Sequence, residues 1–178
     1  MGVAGCGKSS LGVAVAQQLG LKIVEGDDHH SAENLAKMQR GIALTDADRA
    51  GWLAALGEQL QKHPSALVLT CSALKRAYRD QLRQASPGLS FVYLDISREH
   101  ASARVSARAA THFFSASLIS SQFSTLEVPT GEPGVLRVDA LLPLSTLQKQ
   151  VCDWLTEDKQ DRQVQQHNKH IPLQKEQA

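Results

Sequence analysis

The chain has 178 residues, 42% of them hydrophobic and 21% charged, with a formal net charge of +1. That is one globular domain by length, able to bury about two thirds of its unfolded surface, and the near-neutral balance excludes nucleic acid or an anionic membrane held by bulk electrostatics. Cys6, Cys71 and Cys152 are too widely spaced for a disulfide framework or zinc site, and no apolar run nears the ~20 residues of a bilayer span, so the cytoplasm is the default location.

The first ten residues, MGVAGCGKSS, fit the spacing G-x-x-x-x-G-K-S at Gly2, Gly7, Lys8 and Ser9. Glycines let backbone N–H groups approach phosphate oxygens, a lysine reaches the β and γ oxygens, and a serine hydroxyl ligates Mg²⁺. The candidate nucleotide contacts are therefore Gly2, Val3, Ala4, Gly5, Cys6, Gly7, Lys8, Ser9 and Ser10. A helix is expected from Lys8 or Ser9, carrying Leu11, Val15 and Leu19 on one side and stopped by Gly20. Such a loop should also follow a buried strand, and none precedes it here.

Residues 21–25 read as a strand that delivers the polar run Gly26-Asp27-Asp28-His29-His30. Ser31 can cap a helix that ends at Gly41. Thr45 and Asp48 have capping-box spacing ahead of a helix burying Trp52, Leu53, Leu56 and Leu60. Residues 66–71 form a continuous apolar run suited to a central parallel strand, followed by an expected helix over 72–85 with Leu74, Tyr78 and Leu82 along one side. A strand over 90–95, a helix from Ser97 through Arg108, a break at 109–116, a helix over 118–127 and a strand over 135–139 follow. The last helix carries Leu144, Leu147 and Val151, and the polar stretch from 156 to 178 is expected to be a disordered tail. The alternation predicts an α/β fold, a parallel sheet with helices on both faces.

Five stretches in order, MGVAGCGKS, EGDDHH, LTDADRAGWL, CSALKRAYRD and HFF with SQFSTLE, together resemble the gluconokinases, small P-loop kinases related in fold to shikimate kinase. The resemblance implies a three-layer P-loop kinase sandwich over residues 1–155, with strand order 2-3-1-4-5 and a small lid at about 104–127. It also implies ATP and Mg²⁺ as cofactors, gluconate as substrate, 6-phosphogluconate as product, and a homodimer. In that order the strand feeding the loop would be central, so Met1 is expected to be an internal methionine preceded by an apolar strand of about 5–6 residues. If the chain is complete, a weakly stable or inactive nucleotide-binding paralogue is the alternative; another small-molecule kinase is the other.

Asp27 is a candidate for accepting the attacking hydroxyl's proton or for holding Mg²⁺ with Ser9. His30 can hydrogen-bond a sugar hydroxyl, with a surface histidine as the plain alternative. Asp48 is read as structural, because an acidic first helical turn suits the helix dipole without any ligand. Arg49 is the candidate for the substrate carboxylate. Lys75 and Arg79, expected one turn apart on one helix, are candidates for steering anionic substrate, against a merely solvated basic face. The resemblance gives Arg104 and Arg108 the part of lid arginines on ATP and places His112 near substrate, although the Ala109-Ala110-Thr111 run departs from the family's glycine before His-Phe. Gln122 and Glu127 also match the family pattern, with helix-surface residues as the alternative.

Overall fold

A computed structural model describes residues 1–64, 66–107 and 116–169. Helix α1, Lys8–Leu19, turns Leu11 and Val15 inward and ends at Gly20, whose N–H caps Ala16 and Gln17 carbonyls. Strand β1, Lys22–Glu25, runs into a 3₁₀ turn over Gly26–His29 and then helix α2, Ala32–Gln39, capped by Ser31 Oγ. Helix α3, Asp46–Lys62, opens with the expected capping box: Thr45 and Asp48 satisfy each other's backbone N–H groups.

Strand β2, Leu67–Thr70, and strand β3, Phe91–Asp95, alternate between two cores. Leu67, Leu69 and Phe91 pack with Trp52, Leu56 and Leu82, whereas Val68, Val92 and Leu94 pack with Leu11, Val15 and Val151. Burial on both faces is why these strands read as unbroken apolar runs. Helix α4, Arg76–Ala85, lies with α3 against one face. Helix α7, Leu144–Lys169, lies with α1 against the other. Helices α5, Arg98–Ala107, and α6, Ala116–Thr125, pack together, and strand β4, Val135–Asp139, pairs with β3.

Two expectations are corrected. The helix after β2 begins at Arg76 rather than Ser72, because Ala73 adopts a left-handed φ of 42° that no α-helix accommodates. The polar segment from 156, expected to be a disordered tail, is helical as far as Lys169, and residues 170–178 lie outside the described residues. Once Leu147 and Val151 are packed, extension through Glu, Lys, Gln and Arg costs little, since these are good helix formers and the nucleus already exists.

The described strands form two parallel pairs, β1 with β2 and β3 with β4, in place of one continuous sheet. Between the pairs lie Met1 and Gly2. The Met1 amino group donates to Val92 O at 2.6 Å and Leu94 N–H donates to Met1 O at 3.0 Å. Those two bonds bracket Tyr93 in the pattern of a parallel ladder. On the other side Gly2 N–H donates to Ser72 O at 3.2 Å. The order is thus the expected 2-3-1-4-5, with Met1 and Gly2 standing at the position of its first strand. Behind them the facing edges of β2 and β3 enclose a mainly apolar cavity of about 260 Å³, lined by Met1, Leu67, Leu69, Phe91, Val92 and Leu94 among others. Burial pushes the Met1 amine's pKa down.

Candidate active site

The loop delivered by Met1 and Gly2 closes onto α1 through Gly7, whose φ of 99° only glycine adopts without strain. No side chain caps α1, so the N–H groups of its first turn, together with the positive end of its dipole, are left for an anion. Lys8 Nζ donates to Val3 O at 3.1 Å, folding the lysine back across the loop it serves. The helix thus begins at Lys8 as its sequence predicts, with the Gly2–Gly7 loop at its N-terminus.

Ser9 lies beside a residue that sequence reasoning missed. Its hydroxyl donates to Glu25 Oε2 at 3.0 Å, and Thr70 Oγ1, at the paired position on β2, donates to the same oxygen. Glu25 is the last residue of β1, and the signal available for it was a carboxylate at a strand's carboxyl end, where open α/β sheets bind ligands. Two residues on, Asp27 is exposed in the 3₁₀ turn. That turn is pressed onto β2: a Cβ on Gly26 would lie 2.4 Å from Thr70 O, and Trp52 Nε1 donates to Gly26 O at 2.7 Å.

His30 follows, with its ring stacked on Trp52 at 4.7 Å between centroids and 10° between planes. Its Nδ1 is buried with no hydrogen-bond partner among the described residues. Burial lowers the pKa of His30, with Asp27 opposing and Arg49 adding to the effect, which keeps the ring neutral near pH 7. Arg49, from the first turn of α3, is 9% exposed, and its guanidinium stands 5.9 Å from the centre of the Tyr78 ring. Among the described residues it pairs with no carboxylate. The Tyr78 ring also takes Lys75 Nζ at 5.7 Å, and that ammonium binds both oxygens of Asp46 at 2.7 Å. The Lys75 bond is the chief reason the Asp46 pKa is lowered; burial and then the hydrogen bond to Asp46 raise that of Tyr78.

Arg79 does not join this cluster. It is 1% exposed and paired with the buried Glu132, while its Nη1 donates to Ala73 and Leu74 carbonyls. The assignment of Arg79 to substrate is corrected: Lys75 lies outside the helix, so the two side chains do not share a helix face. Asp48 is structural as expected, held in the capping box and by Lys37 Nζ at 2.6 Å; these bonds, Lys37's first, lower its pKa to about 2. Arg104 donates to Ala140 O at 2.9 Å and to Gly5 O of the loop at 3.5 Å. Arg108 and His112 lie outside the described residues. Gln122 Oε1 accepts from Ala4 N–H at 2.6 Å, and Glu127 accepts from Arg76 N–H at 2.6 Å, so neither is a plain surface residue.

The profile of the shikimate kinase family matches residues 4–124. A gluconokinase of Gluconobacter oxydans is 45% identical over 141 residues, covering 78% of this chain and 79% of that one. The thermosensitive gluconokinase of Escherichia coli is 43% identical, covering 78% and 76%. The crystal structure of a gluconokinase from Sinorhizobium meliloti superposes with a TM-score of 0.84 at 43% identity, covering 93% and 94% of the two chains. At 20% identity, an APS kinase of Mycobacterium tuberculosis shares the fold, with a TM-score of 0.63.

Proposed function

The chain belongs to the gluconokinases within the shikimate kinase family, and from that premise we propose that it transfers the γ-phosphoryl group of ATP to the 6-hydroxyl of D-gluconate. The observation that carries the acid half of this reading is Arg49, a largely buried guanidinium with no protein carboxylate among the described residues. A sugar acid supplies the missing partner, and a planar carboxylate matches the guanidinium fork. Beside it, the neutral His30 offers a buried Nδ1 that a sugar hydroxyl would satisfy.

Phosphoryl transfer asks the protein mainly to position and to neutralise charge. The 6-hydroxyl oxygen attacks the γ-phosphorus in line, its proton passes to the Asp27 carboxylate, and ADP departs with its charge neutralised by Lys8 and the α1 N-terminus. Asp27 then loses the proton to water. Arg104 holds the loop through the Gly5 carbonyl, and Arg108 and His112 are proposed to meet the nucleotide and the substrate. Ser9, Glu25 and Asp27 are hard oxygen donors that fit Mg²⁺. Bound there, Mg²⁺ would neutralise charge on the phosphate oxygens. No described helix is long and apolar enough to cross a membrane. A cytoplasmic location and a homodimer, expected from the family resemblance of the sequence, remain part of the proposal.

Coupled measurement of ADP release tests the assignment. Lys8→Ala and Asp27→Asn should each lower kcat by about 100-fold or more with gluconate saturating. Near-parental turnover in Asp27→Asn would remove the proton acceptor from this scheme.

A further inference from the structure

The phosphate loop is gripped by a helix that comes far later in the chain. Ala4 N–H donates to Gln122 Oε1 at 2.6 Å across 118 residues. Ala4 adjoins Val3, whose carbonyl holds Lys8 Nζ. A lysine at this loop position serves the β and γ oxygens, so the Val3–Ala4 peptide borders the γ-phosphoryl end of the cradle.

Gln122 is itself held firmly. Helix α6 sinks Leu118 and Ile119 into the core, at 4% and 2% exposure. Just past its end, Glu127 N–H donates to Leu74 O at 2.9 Å, and the Glu127 carboxylate accepts from Arg76 N–H. Leu74 and Arg76 flank Lys75, whose ammonium sits in the cluster of Asp46, Tyr78 and Arg49. The C-terminal part of α6 and the residues just past it, from Gln122 to Glu127, thus tie the phosphate loop to the elements that present the acceptor-side cations.

We propose that Gln122 is a positioning residue for the transferring phosphoryl group. Its amide oxygen fixes the Ala4 peptide plane, and α6 sets that plane in register with the Arg49 cluster. The inference rests on the reading of Gly2–Ser9 as a phosphate cradle and does not require Gln122 to touch either substrate. Misplacement of reacting groups by ~1 Å costs on the order of 100-fold in rate, which sets the scale expected here.

The test uses the full chain with Gln122→Met, close in length but without an acceptor, and Gln122→Glu, which keeps one. In Gln122→Met, kcat should fall about 10- to 100-fold and affinity for a non-hydrolysable ATP analogue should fall about 5-fold or more relative to ADP, with ADP affinity and KM for gluconate held within about 2-fold. Gln122→Glu should recover turnover, relative to the parent, as pH falls from about 8 to about 4, where the added carboxyl, with an ordinary pKa of about 4.3, becomes largely neutral. A parental ATP-to-ADP affinity ratio and kcat in Gln122→Met would overturn the proposal. So would a parallel loss of both nucleotides together with a lowered thermal midpoint, the mark of a merely structural role. Should Gln122→Met not fold, the pH profile of Gln122→Glu decides, and a profile matching the parent's overturns the proposal. If the parent itself fails to phosphorylate gluconate, the substrate reading falls separately, while the affinity ratio still reads Gln122.

Discussion

Arg49 and Arg79 are both largely buried, at 9% and 1% exposure, yet their surroundings assign them opposite duties. Arg79 has its carboxylate inside the protein, since Glu132 accepts from both its Nε and Nη2 and also binds Arg83. These partners, Arg79 first, hold the Glu132 pKa below its ordinary value, so that contribution to stability is present above the carboxylate's unfolded pKa and is lost as pH falls through the folded one. Arg79→Met should leave Glu132 with Arg83 alone and take the donor from the Ala73 and Leu74 carbonyls, at a cost of about 1–3 kcal/mol read as a lower thermal midpoint. Arg49→Met should instead raise KM for gluconate by about 10- to 100-fold with little change in midpoint, because no ion pair among the described residues is broken. The reverse pattern in the two melting curves and KM values would exchange their roles. Asp48 was legible because its partner Thr45 is three residues away and local geometry decides it. Arg79 was not, because Glu132 comes 53 residues later in a stretch that reads only as a Pro/Gly loop.

At the level of elements, the helices with local start and stop signals were legible: α1 before Gly20, α2 after Ser31 and α3 after Thr45. What local signals could not reveal was the break before α4, where Ala73 takes a left-handed conformation so that its carbonyl and that of Leu74 can meet buried Arg79. The 3₁₀ turn after β1 was visible as a polar run, but its close seat on β2 was not. Thr70 O leaves no room for a side chain at position 26. Gly26→Ala should therefore displace the turn that carries Asp27, lowering kcat by about 10-fold or more, since a shift of an ångström in a reacting group has effects of that size. Parental kcat in a variant with an unchanged midpoint would show that Asp27 does not depend on that seat.

For the whole molecule, the alternation of strands and helices was enough to expect a parallel α/β sandwich, and the strand order followed from the family resemblance. The consequence of the central position is visible only in three dimensions. Two parallel pairs face each other across an apolar cavity, bridged at one end by the backbone bonds of Met1 and Gly2.

The central claim is that a phosphate cradle and an Arg49 with no carboxylate ion pair among the described residues together make an ATP-dependent gluconate kinase. The most direct measurement is ADP formation by the purified chain with ATP and Mg²⁺, comparing D-gluconate with shikimate and with glucose, which lacks the carboxylate. The account predicts turnover with gluconate at least about 100-fold faster in kcat/KM than with either of the others. Equal rates with glucose, or ADP formation that ignores gluconate altogether, would contradict it.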